Sequence, residues 1–85
     1  MVNMNGNLIK YNDVFRQVLS LSDNSELESL QYRISEGWNS IAQIGIISTL
    51  EDSFDINMDT EDIFGLTSYE TGLKILKDKY DISFD

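Results

Sequence analysis

Neither cysteine nor histidine occurs in this 85-residue chain, and proline is missing as well. Without thiols the fold cannot be stapled by disulfides or by a thiolate-bound metal. Without imidazole it lacks the usual general base, the Ser-His-Asp and Cys-His arrangements and the commonest metal ligand. Cations are scarce too: six Lys and Arg against fifteen Asp and Glu give a net charge of −9. A nucleic-acid backbone or an anionic bilayer would repel such a surface, so the expected partners are proteins that present basic patches. No segment approaches the length of a membrane span. The start, "MVNMNGNLIKYND", has no basic leader and no long apolar run. A cytoplasmic monomer without a signal peptide is therefore expected.

What is present is enough for one small domain. Hydrophobic residues make up 41% of the chain, and the length is near the lower limit for a single core. Residues 1–7, "MVNMNGN", read as a flexible segment, and residues 8–85 as the domain. From about Leu8 to Ser20, Tyr11, Val14, Phe15 and Val18 recur at helical steps. The next stretch of some twenty residues has turn formers at both ends, and a connection of that length needs its own anchors. Leu27, Leu30, Tyr32, Ile34 and Trp38 can supply them. Asn39 is a good N-cap for a helix from Ser40 to Phe54. "TEDIFG" reads as a short helical turn stopped by Gly65. "TSYE" reads as a capping box of Thr67 and Glu70, opening a last helix to about Tyr80. Tyr69, Leu73, Leu76 and Tyr80 form its stripe, and Lys74, Lys77 and Lys79 suit its C-terminal end. The expected fold class is all-α: three long helices and one short one, with a long loop between the first two.

The helix from Ser40 carries more isoleucine than one core face needs. At roughly 100° per residue, Gln43, Ile46, Ile47, Leu50 and Phe54 fall within about 100° of arc, the width of a core stripe. Ile41 falls nearly opposite that stripe and Ile44 well off its edge, among Ser48, Glu51, Asp52 and Asp55. Exposed isoleucines are common on protein surfaces. Here they also form an apolar patch with an acidic rim, suited to docking a basic partner. Ser40 has no base beside it and cannot be an activated nucleophile. It can be a substrate hydroxyl at a helix N-terminus, where an attached phosphate is favoured.

"WNSIAQIGIISTLEDSFDINMDTEDIFGLTS" resembles the central region of acyl carrier proteins. The family pattern Trp-Asp-Ser-Leu, then Leu-Glu-x-x-Phe-x-Ile, is met by Trp38, Asn39, Ser40, Ile41, Leu50, Glu51, Phe54 and Ile56. The short turn and the last helix follow in the family's order, so the likeness covers about residues 8–80. It implies a carrier and not an enzyme. A phosphopantetheinyl transferase would move 4′-phosphopantetheine from coenzyme A onto Ser40. The arm's thiol would then hold an acyl or aminoacyl group as a thioester. That would supply the sulfur the chain lacks. Partner recognition would fall to Asn39, Ile41, Ile44, Glu51, Asp52 and Asp55, facing enzymes that load or transfer acyl groups.

The chain departs from the pattern at Asn39, where the family has Asp, at Ile41 for Leu, and in lacking proline before Trp38. An unmodified interaction module on the same scaffold is the alternative. A calcium loop at "DINMDTEDIFGL" fails because Thr60 stands where Gly is needed and Leu66 where a bidentate Glu is needed. No metal site is expected. Fatty acyl, polyketide, aminoacyl and saccharide-decorating pathways all remain open as the source of cargo.

Overall fold

A computed structural model describes residues 6–84. Four helices follow in chain order: α1 (Gly6–Val18), α2 (Ser40–Phe54), α3 (Thr60–Gly65) and α4 (Tyr69–Tyr80). No strand occurs among the described residues. The one β-type contact is an isolated antiparallel bridge between Gln31 and Ser68. The radius of gyration is 12.1 Å, close to the roughly 12 Å expected of a compact domain this long. No helix among the described residues is long and apolar enough to cross a membrane.

Helix α1 begins at Gly6, two residues earlier than expected. The rest of the expected flexible segment, residues 1–5, lies outside the described residues. Tyr11, Val14 and Phe15 are its buried face, and α1 packs on α2 while α3 packs on α4. The Tyr11 ring meets Phe15, Tyr69 and Phe84 at centroid distances of 5.0, 5.1 and 5.6 Å. Its hydroxyl donates to the Tyr69 carbonyl at 2.6 Å. Burial raises the Tyr11 phenol well above its ordinary value. Gly72 makes this approach possible, because a Cβ there would lie 2.1 Å from the Tyr11 hydroxyl. Beyond α4 the chain turns through Asp81 in the left-handed region (φ 57°). That turn lays Phe84 against Tyr11 and Phe54.

The capping box of α4 is shifted by one residue from its expected place. Ser68 is the N-cap, its Oγ accepting from the Thr71 N–H at 3.0 Å. Thr71 Oγ1 accepts in return from the Ser68 N–H at 2.9 Å. Thr67 and Glu70 are not the pair. The long loop is pinned to this linker by backbone bonds. Tyr32 N–H donates to the Thr67 carbonyl at 2.9 Å, and Tyr69 N–H to the Leu30 carbonyl at 3.0 Å. Leu27, Leu30 and Trp38 anchor the loop in the core as expected. Ile34 does not. It is 76% exposed, carried outward on a tight turn in which its N–H donates to the Gln31 carbonyl.

Candidate functional site

Asn39 does what its place before a helix predicts. In extended backbone, it accepts through Oδ1 from the N–H groups of Ile41 at 3.1 Å and Ala42 at 3.0 Å. Two first-turn donors are thereby spent on the cap. What α2 offers an anion at Ser40 is thus mainly the positive end of its dipole. Ser40 itself is exposed.

Trp38 lies directly beneath. It is 1% exposed, with its ring edge-on to Phe15 at 5.3 Å and to Tyr32 at 6.4 Å. Its indole N–H donates to Gln43 Oε1 at 2.6 Å. The same amide donates through Nε2 to the carbonyls of Ile63 at 3.2 Å and Leu66 at 2.9 Å. Gln43 therefore ties the loop, α2 and the end of α3 together. A helical wheel places it correctly on the inner stripe. A glutamine on such a stripe was the available signal that polar partners must exist, since buried amides are rarely left unpaired.

Beside Ser40, between α2 and α3, opens a cleft of about 250 Å³ lined mainly by Tyr32, Ile44, Ile63, Phe64 and Leu66, with Ser40 on its rim. A second cleft of about 230 Å³ adjoins it, sharing Gln43, Ile44 and Ile63 and extending to Ser48 and Glu51. Ile41 and Ile44 are 79% and 70% exposed, and Phe64 is 77% exposed. The isoleucines thus lie outside the core, as their wheel positions indicate. Phe64 and Tyr32 had not been singled out as site residues. The Arg33 guanidinium lies 6.0 Å from the centroid of the Tyr32 ring, so a cation borders the first cleft.

The three acidic residues assigned to the rim are not equivalent. Asp52 is exposed. Asp55 is also exposed and ends α2 in the left-handed region (φ 54°). Glu51 is half-buried, and its Oε2 accepts from the Met58 N–H at 2.9 Å. It holds the turn from α2 to α3 and is not free merely to steer partners.

Within α3, Asp62 is almost fully buried. Its carboxylate takes the Lys79 ammonium at 2.8 Å and the Tyr80 hydroxyl at 2.7 Å. Those bonds, Lys79 first, pull the Asp62 carboxyl below its ordinary value. Lys79 is raised in turn, chiefly by Asp62. Tyr80 is raised by burial and then by Asp62, and its oxygen accepts from the Asp59 N–H at 2.8 Å. Among the described residues no group of three or more carboxylates could hold a metal ion.

No family model matches this chain, and neither does any curated protein or solved structure.

Proposed function

We propose that the protein is an acyl carrier, a four-helix carrier domain with Ser40 as the attachment point for 4′-phosphopantetheine. The observation that carries this reading is the setting of Ser40. Its exposed hydroxyl stands at the head of a capped 15-residue helix and on the rim of an apolar cleft. Among the described residues no titratable base is bonded to it. Such a hydroxyl suits modification by another enzyme and not catalysis of its own.

The residues present fit the group. The dipole of α2 favours an anion at Ser40, and the cleft gives an arm an apolar surface to lie on. The arm would supply a thiol to a chain that has none. The chain's own residues would do the rest. Asn39 and Trp38 fix the approach to Ser40, while Ile41, Ile44 and Phe64 offer apolar contact to a transferase and to acyl-loading or acyl-transferring enzymes. Asp52 and Asp55 would steer their basic patches.

Incubation with coenzyme A and a broad-specificity phosphopantetheinyl transferase tests this by intact mass. The parent should gain one phosphopantetheine and Ser40→Ala none, with both folding alike. A parent that no transferase modifies, or a modified Ser40→Ala, would overturn the assignment. In the first case, the exposed Ile41, Ile44 and Phe64 would favour the second reading, an unmodified interaction module. Asn39 in place of the family's Asp already weakens the charge that meets a basic transferase.

A further inference from the structure

Gln43 is the polar exception in an apolar seam. Its amide lies in the lining of both clefts between α2 and α3. Its hydrogen-bonding capacity is committed on three sides, to Trp38, Ile63 and Leu66. Ile46, Leu50 and Leu76 of the core are fully buried, and none of them lines either cleft. A long chain tethered at Ser40 and passing inward between Trp38, Ile63 and Leu66 would displace this amide. The Trp38 N–H and the carbonyls of Ile63 and Leu66 would then lose their partner together. Each buried polar group so orphaned cancels the gain from about one to four buried methylenes.

We propose that Gln43 closes the α2–α3 seam to long chains, so that a group carried at Ser40 stays outside the core whatever its length. This rests on the carrier reading of Ser40. Gln43 is thus a specificity-determining residue that acts by exclusion. A long aliphatic cargo would meet only the outer surface of Ile44 and Phe64.

The test avoids the transferase. The chain has no cysteine, so Ser40→Cys can be alkylated at a single place with ethyl, butyl, octyl and dodecyl reagents. Each methylene drawn into the core should raise the melting temperature by about 3–6 °C in a domain of this size. The expected series rises slightly to butyl and is then flat to dodecyl, within about 1 °C. Contacts of the terminal methyl, read by nuclear Overhauser effects, should fall on Ile44 and Phe64. A melting temperature that climbs to dodecyl, with contacts to Leu50 or Leu76, would overturn the proposal. Adding Gln43→Leu should restore the climb, and a folded double variant with a flat series would overturn it equally. Should Gln43→Leu fail to fold, the Ser40→Cys series alone decides. Failure of phosphopantetheine transfer to the parent would remove the carrier reading while leaving the alkyl series to be read by itself.

Discussion

The two walls that flank the core are held by different forces. On the side of α1, α4 and the C-terminal turn, rings pack on rings: Tyr11 touches Phe15, Tyr69 and Phe84. On the side of α3, much of the hold is polar. Gln43 of α2 grips the carbonyls of Ile63 and Leu66, and Asp62 of α3 grips Lys79 and Tyr80 of α4. The aromatic wall gains its stability from buried area and fixed volume. The polar wall gains position from directed bonds, which leaves Phe64 and Ile44 free to face outward. The proposed carrier role would use both kinds of wall: one that does not yield, and one that shows an apolar surface to visitors.

The largest break should come from Trp38, which joins the two walls through Phe15 and Gln43. Trp38→Ala is expected to cost about 3–5 kcal/mol in denaturant unfolding. For a domain of this size that is much of the total stability. A loss of only tenths of a kcal/mol would make Trp38 a partner contact.

Gly72→Ala should come next, at about 1–3 kcal/mol, because the new methyl overlaps the Tyr11 hydroxyl. The cost should shrink in a Tyr11→Phe background, which a double-mutant cycle measures. An equal cost in both backgrounds would place the clash elsewhere.

Titration separates Tyr11 of the aromatic wall from Asp62 of the polar wall, while Tyr80 and Lys79 of the polar wall share the alkaline limb with Tyr11. Tyr11, Tyr69, Tyr80 and Lys79 all hold their protons more tightly when folded. Their contribution is complete below about pH 10, the unfolded value, and is lost as pH rises through the folded values. Asp62 has the opposite sign. Its contribution is present above the unfolded value of about 4 and is lost as pH falls through the lowered folded value. Tyr11→Phe should flatten the alkaline limb of a stability–pH curve, and Asp62→Asn the acid limb. Curves that match the parent on both limbs would show that neither group is linked to folding.

The smallest effect on stability belongs to the outward face. Ile44→Gln should stay within about 0.5 kcal/mol of the parent while speeding dissociation of a bound transferase, since it removes apolar contact in the complex. Melting of the variant, with unchanged kinetics for the folded fraction, would make Ile44 a core residue.

Much of this contrast was legible in the residues. The bounds of α2, its Asn39 cap, the burial of Trp38 and the outward Ile41 and Ile44 all follow from spacing and side-chain chemistry. The register of the α4 cap did not. Thr67 and Ser68 are both good caps, and the loop bonded across from Leu30 and Tyr32 accompanies the choice of Ser68. Ile34 looked like an anchor because it is apolar, but a backbone turn points it away from the core. The second duty of Glu51 was hidden for a similar reason. Its partner is the Met58 N–H, and a backbone amide leaves no trace in a pattern of side chains. Asp62 likewise needed Lys79 and Tyr80 from another helix before its burial made sense. Local preferences reached the helices, and contacts distant in sequence set the details of the site.

The burial of Trp38 has an optical consequence. It is the chain's sole tryptophan, shielded from water, and its indole N–H is bonded to the amide that lines the cleft. The molecule thus contains one indole fluorophore, which can be excited at wavelengths where the four tyrosines do not absorb, placed at the junction of loop, core and site. Its emission should be that of an indole out of solvent and should move to longer wavelength on unfolding. A ligand that disturbs Gln43 changes the hydrogen bond at the indole nitrogen and so alters the emission without unfolding the chain. Events at the mouth of the cleft can then be followed in the unlabelled protein, by light alone.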